Sequence, residues 1–154
     1  MTVIVDSERA RQARERTERI ERLEARAVSL GIELHAAAKT GEADRIALLI
    51  AHGANVEARM PNGWRPLHAA ARRGRSASVE ALITAGAKPN VSDEIGMTPL
   101  HLAAVSGDAA SIAFLVEVGA DTAALDGEGR TPFDLLPGKV PESVRHALWP
   151  GVVA

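Results

Sequence analysis

Three histidines are the residues of this chain most suited to chemistry. His35, His68 and His101 lie 33 residues apart, and imidazole rings can bind zinc or transfer protons near neutral pH. The other two histidines, His52 and His146, have no second metal ligand near them in the sequence. The sequence has no His-Glu-x-x-His pair, glycine-rich phosphate loop or nucleophile elbow. Any chemistry would therefore depend on the three evenly spaced rings.

The same interval of 33 residues governs the sequence around those rings. Glycines recur at positions 41, 74 and 107, and Gly-Ala pairs begin at positions 53, 86 and 119. A fixed period of this length indicates stacked repeats, in which each unit packs only on its neighbours. Layers about 10 Å apart cannot bring three rings to one zinc ion at about 2.0 Å. The sequence therefore predicts no catalytic, cofactor-binding or metal-binding residue. Three acids are interpreted as turn or helix-start residues: Asp93, Asp126 and Asp134.

The repeated segment has a specific core. Residues 96–107 read Gly-Met-Thr-Pro-Leu-His-Leu-Ala-Ala-Val-Ser-Gly, and residues 127–133 begin the same segment again. This pattern closely resembles the ankyrin repeat family, over residues 30–149. The resemblance implies an all-α helical repeat solenoid with short β-hairpin turns, and hydrogen bonds between adjacent loops for the repeated histidines. The implied units are 30–59, 60–92, 93–125 and a truncated 126–149, followed by a tail at 150–154.

Local chemistry supports this fold without the resemblance. Thr98 can cap a helix that starts at Pro99, and Gly107 can end that helix in a left-handed conformation. Arg65 stands where the next unit has Thr98, so a cap worth about 1 kcal/mol is missing there. The sequence alone therefore predicts that Arg65→Thr stabilises the fold.

The two ends of the stack depart from the repeat pattern. Leu30 replaces the hairpin glycine of the first unit, which indicates that this unit lacks a hairpin. Pro137 and Pro141 shorten the first helix of the last unit, and residues 142–148 are expected to form a final turn or two. The last unit is therefore predicted to cap the stack.

Residues 1–29 form a charged segment outside the repeats. Between Ser7 and Arg26 the chain has seven Arg, five Glu and no Gly or Pro, which predicts a helix over residues 8–29. A coiled-coil or partner-helix surface is the alternative to a capping role. Nucleic-acid binding is disfavoured, because interleaved Glu residues cancel the field of the Arg side chains. We interpret the narrow apolar stripe of this helix as a cap on the first repeat: Ile20, Leu23, Ala27 and Leu30.

Composition indicates one soluble domain. The chain has 154 residues, 46% hydrophobic content, a net charge of −2 and no cysteine, which excludes disulfides and thiol chemistry. The sequence shows no signal-like or membrane-spanning apolar stretch, so no membrane partner is expected and a cytoplasmic location is the default. The excess of Arg over Lys hints at a bacterial source.

The resemblance implies a non-enzymatic protein-binding module, an adaptor or scaffold that uses hairpin tips and the concave face of the inner helices. The alternative is an inhibitor or immunity-type protein that blocks a partner enzyme or toxin. Trp64 is expected to be exposed on a hairpin and to anchor the interface. The alternative is that its ring lies flat on its own repeat and covers Arg65 or the neighbouring hairpin. The clustered Arg residues beside Trp64 predict an acidic partner surface, bound by a monomer. The predicted contact residues are Trp64, Asn62, Arg72, Arg73, Ile95, Met97, Val105, Ser106 and Arg130.

Overall fold

The fold was obtained as a computed structural model that describes residues 2–149; the predicted tail at 150–154 lies outside them. These residues contain seven α-helices, one 3-10 turn and no strand, which confirms the all-α repeat fold. No helix within them is long and apolar enough to cross a membrane. The elements are α1 (Thr2–Thr40), α2 (Ala43–Ala51), α3 (Pro66–Arg72), α4 (Ser76–Thr84), α5 (Pro99–Ser106), α6 (Ala109–Glu117), the 3-10 turn (Phe133–Leu135) and α7 (Glu142–Leu148).

The helices form an inner and an outer layer. In the inner layer α3 packs between α1 and α5, and in the outer layer α4 packs between α2 and α6. Leu34, Leu67 and Leu100 occupy equivalent inner positions and are at most 1% exposed. Burying each of these side chains contributes about 1.5–3 kcal/mol. Because the buried residues form one cluster along the stack, the units share a continuous core.

The inner helix α5 begins and ends where the local chemistry predicts. At the start of α5 the Thr98 Oγ1 accepts the His101 N–H at 3.4 Å, and Pro99 fills the first helical position, where a missing N–H costs nothing. Gly107 ends α5 in the left-handed conformation, with φ +71°. The predicted cap at Thr98 is therefore confirmed.

Arg65 begins α3 without a side-chain cap, but it has a second role that the sequence did not reveal. Its Nε lies 2.9 Å from Glu57 Oε2, and both side chains are only about one quarter exposed. The N–H does not point along the line to that oxygen, so the contact is an ion pair and not an aligned hydrogen bond. The stabilisation predicted for Arg65→Thr omitted the loss of this pair.

Arg65→Thr should therefore leave the free energy of unfolding unchanged to within about 0.5 kcal/mol, because a gained cap and a lost ion pair are of similar size. In a Glu57→Gln background the ion pair is already absent, and the same substitution should then stabilise by about 1 kcal/mol. Urea unfolding of the four proteins gives both numbers. An equal effect of Arg65→Thr in the two backgrounds would show that the ion pair contributes nothing.

The charged N-terminal helix is continuous with the first inner helix. α1 has 39 residues and is therefore about 58 Å long, and the first unit has no hairpin, as predicted. The capping role assigned to the N-terminal stripe is wrong, because Ile20 is 46% and Leu23 58% exposed and Ala27 is also exposed. Only from Leu30 onward does α1 pack on the core. A straight helix carries the earlier residues past the stack and does not fold them over its edge.

The C-terminal end is covered as the sequence predicts. After the 3-10 turn, α7 packs on α6 and buries Val144 and Leu148. Phe133 and Trp149 contact each other edge to face, with ring centroids 4.9 Å apart. The truncated last unit therefore shields the apolar face that a further repeat would cover.

Tight hairpin turns precede the inner helices from the second unit onward. They are the first hairpin (60–64), the second (93–97) and the third (126–130), each closed by a bond from its first N–H to its last carbonyl. The turns stack edge to edge: the Gly127 N–H donates to Ile95 O at 2.8 Å, and the Glu94 N–H to Asn62 O at 3.5 Å. In the first hairpin, Pro61 stands at the position whose N–H donates in the other two hairpins, where the residues are Glu94 and Gly127. No hairpin precedes it, so the missing N–H costs no bond.

Candidate protein-binding groove

The repeated histidines connect neighbouring units. His68 Nε2 lies 3.2 Å from Met97 O, and His101 Nε2 lies 2.9 Å from Arg130 O. Because a carbonyl only accepts, each ring donates from Nε2. The Nδ1 of His101 then accepts from the Thr98 N–H at 3.2 Å. These inter-loop bonds are the structural role that the resemblance implies.

Burial favours the neutral ring at His35 and His68. Burial lowers the pKa of His35 and of His68 below its ordinary value, and a neutral ring can donate and accept at the same time. Among the side chains of residues 3–149, no group of three or more His, Asp or Glu residues could hold a metal ion. The rings therefore act as links between loops.

His35 differs from its two sister rings and leaves a gap beside α1. Its Nε2 lies 2.7 Å from Ala58 O. His68 and His101 instead bond the last carbonyl of the hairpin that follows them, and the equivalent carbonyl of the first hairpin is Trp64 O. A Cβ added at Gly31 would lie 3.1 Å from the Ala58 Cβ, so this glycine lets the loop approach α1 closely. The chain thus meets α1 at Ala58, and the first hairpin is not bonded to α1 through the ring of His35.

The gap is a groove of about 790 Å³ between α1, α3 and the first hairpin, within the range of ligand-binding sites. Most of its lining is apolar, and its rim carries Lys39, Arg72 and Arg73. Among the side chains of residues 3–149, no carboxylate lies within 4.0 Å of these three cations. The lining residues are Ile32, His35, Ala36, Lys39, Met60, Pro61, Asn62, Trp64, Ala69, Arg72 and Arg73.

Trp64 is half-buried, and the expectation that it is exposed was wrong. Its indole N–H donates to Asp93 Oδ2 at 3.0 Å, while the other oxygen of Asp93 accepts the N–H groups of Ile95 and Met97. The ring is therefore fixed against the neighbouring hairpin, which is the alternative that the sequence left open. It still lines the groove, so the groove has a rigid aromatic wall.

The predicted contact residues divide into two groups. Asn62, Trp64, Arg72 and Arg73 meet at the groove. Ile95 is 65% exposed on the second hairpin, and Met97 packs half-buried against the core. The remaining three do not line the groove either: Val105 and Ser106 are half-buried on α5, and Arg130 pairs with Asp126 at 2.9 Å.

The basic face is smaller than the clustered Arg residues predicted. Arg59 pairs with Glu94 at 3.6 Å, and Arg65 pairs with Glu57 at 2.9 Å. Both acids lie outside the stretch of sequence that contains the Arg cluster, so the sequence could not show these pairs. Positive charge remains concentrated at the rim of the groove.

Sequence reasoning missed the α1 wall of the groove. Ile32 and Ala36 are exposed on α1 and line the groove, although α1 packs on the core through Leu34. Their spacing of four residues places them on one face of a helix. That spacing was a usable signal, but the sequence was interpreted through the repeat register, in which Ile32 aligns with Thr98.

Comparison with known protein families agrees with this geometry. A family model described as "Ankyrin repeats (3 copies)" matches residues 32–93, and one described as "Ankyrin repeat" matches residues 95–127. The two matched segments together span more than half of the 154 residues. No curated protein matches the chain. The chain therefore belongs to the ankyrin repeat family.

Proposed function

We propose that this protein is a non-enzymatic binding module that recognises an acidic surface of a partner protein through the groove around Trp64. Ankyrin repeats generally act as protein–protein interaction modules. The observation that carries the proposal is the combination of a rigid aromatic wall with three cations that have no carboxylate within 4.0 Å among the side chains of residues 3–149. Aromatic residues and Arg dominate the binding energy of protein interfaces.

The predicted contacts beyond the groove belong to the periphery of the same interface. Ile95 offers an exposed apolar side chain on the next hairpin, and Val105 and Ser106 continue the concave face along α5. Contacts at the periphery of an interface exclude water from its central residues and contribute little energy themselves. We therefore assign the main binding energy to Trp64, Arg72 and Arg73.

Trp64→Ala should weaken partner binding by about 2 kcal/mol or more, because it removes the aromatic wall. Calorimetry with a partner isolated by affinity capture measures this loss. Trp64→Phe keeps most of the apolar surface and should cost less than about 1 kcal/mol. Trp149→Ala is the matched control, since Trp149 is the other tryptophan and is 59% exposed at the far end of the stack.

Charge reversal tests the cationic rim separately. Arg72→Glu with Arg73→Glu should slow association and remove much of its salt dependence, because these side chains attract an acidic partner. Arg9→Glu with Arg11→Glu makes the same change of charge on the exposed part of α1 and should have little effect. Binding that survives both Trp64→Ala and the Arg72/Arg73 reversal would contradict the assigned site.

A further inference from the structure

One face of α1 is exposed along most of its length and runs into the groove. Six residues with spacings of four, three, four, four and three share this face of the helix. Val28 is 63% and Ile32 54% exposed, and the other four members are also exposed. We call this set the groove stripe; its members are Glu21, Ala25, Val28, Ile32, Ala36 and Lys39.

The groove stripe has the same order of residue types when it is read from either end, except that the charges at its two ends are opposite. An acid stands at one end and a cation at the other, with an alanine next to each and two β-branched residues in the centre. Glu21 and Lys39 are equally far from position 30, as are Val28 and Ile32. Ala25 and Ala36 match to within one residue. A surface with this pattern is self-complementary when two helices run antiparallel.

We propose that two copies of this chain pair through their groove stripes, antiparallel, about a two-fold axis near position 30 of α1. Such a contact is isologous, because the same patch serves both copies. Val28 of one copy then lies against Ile32 of the other. Small side chains at positions 25 and 36 let the helix axes approach to about 8–10 Å.

Charge complementarity selects the second copy and its direction. Glu18 and Glu24 lie one turn on either side of Glu21, whereas Arg19 and Arg22 lie about 100° or more around the helix from it, so the acidic end of the stripe carries three carboxylates. In the antiparallel pair this end meets Lys39 of the second copy, beside Arg72 and Arg73 on the rim of its groove. A parallel pair would place like charges opposite each other at both ends, which disfavours that direction.

The other exposed stripe of α1 does not offer an equivalent surface. Ile20 and Leu23 lie on the helix face that continues into Leu34, which is fully buried in the core. A helix following that face would therefore collide with the repeats. The groove stripe, in contrast, stays open to solvent up to Lys39.

The proposed dimer differs from the monomer expected from the sequence, and it covers the groove. A second copy of α1 in the groove covers Trp64, Arg72 and Arg73, which are the residues assigned to partner binding. Self-association and partner binding would therefore compete, although neither proposal requires the other.

Sedimentation equilibrium of the full chain, from micromolar to submillimolar concentration, tests the pairing. The wild-type chain should dimerise, and Glu21→Lys or Lys39→Glu alone should raise the dissociation constant at least about tenfold. The double variant restores opposite charges at both ends and should return to within about threefold of the wild type. Glu8→Lys, on the same helix outside the paired segment, is the control and should leave the constant unchanged. A wild-type chain that stays monomeric, or a double variant as weak as the single ones, would overturn the proposal.

Cross-linking tests the register directly, because the chain contains no cysteine. Val28→Cys with Ile32→Cys should yield a covalent dimer on mild oxidation, since antiparallel pairing brings these positions together within disulfide range. Leu48→Cys, at an equally exposed site on α2, should remain monomeric under the same conditions. Circular dichroism verifies that each variant is folded. Equal cross-linking of both variants would refute the proposed register.

Discussion

Gly96→Ala should destabilise the protein by about 3 kcal/mol, because two penalties combine at this turn of the second hairpin. The residue has φ +80°, and an added Cβ would lie 2.8 Å from the backbone N of Gly127 and 3.1 Å from the carbonyl carbon of Asp126. The left-handed conformation costs a residue with a Cβ roughly 1–2 kcal/mol. The collision would also separate the hairpins and weaken the bond from the Gly127 N–H to Ile95 O.

Gly129→Ala is the matched control for this prediction. Gly129 occupies the same turn position one repeat later and has φ +74°, but no atom of the described residues lies within 4 Å of an added Cβ. It should therefore cost only the conformational term, about 1 kcal/mol. Urea unfolding measures both variants, and their difference reports the stacking of hairpins. Equal losses for the two variants would mean that the hairpin stack contributes nothing to stability.

His101→Ala should lower the free energy of unfolding by about 3–4 kcal/mol, because it leaves a cavity and unpaired polar groups together. The ring is fully buried and connects Thr98 to the third hairpin through Arg130 O. Both backbone groups would lose their partner in the variant. Thermal and urea unfolding give the change.

His52→Ala provides the comparison for His101→Ala. His52 is exposed, and its ring lies within hydrogen-bond distance of the carbonyl of Leu48, one turn earlier in the chain, so the loss should stay within about 0.5 kcal/mol. A loss below about 1 kcal/mol for His101→Ala would contradict the linking role of the repeated histidines.

The repeat pattern predicted most of the fold because its residues act on neighbouring backbone groups. Thr98, Pro99 and Gly107 specify where α5 begins and ends through neighbouring backbone groups, and the prolines of the last unit shorten its helix in the same way. The length of α1 was missed because no local signal near residue 30 shows whether the helix continues. Only the repeat register suggested a boundary near residue 30, whereas α1 continues through Gly31, whose missing side chain admits Ala58.

The candidate site was less predictable because it depends on contacts between distant residues. Trp64 is held by Asp93, 29 residues further along the chain, and Arg65 is paired with an acid from the preceding loop. The groove exists because the first unit lacks a hairpin and because the ring of His35 bonds Ala58. The spacing of residues within one repeat cannot predict these contacts, because each joins residues of different units or loops.

The proline of the first hairpin also affects how molecules of this protein meet one another. Hairpins that join edge to edge could in principle continue from one molecule to the next, and such head-to-tail contacts grow into open filaments. At Pro61 the edge has no N–H to donate to a further hairpin, as Glu94 and Gly127 donate to theirs. The stack therefore cannot extend by hairpin pairing at this end. Pairing through α1, in contrast, gives a closed dimer to which no third copy can add by the same contact.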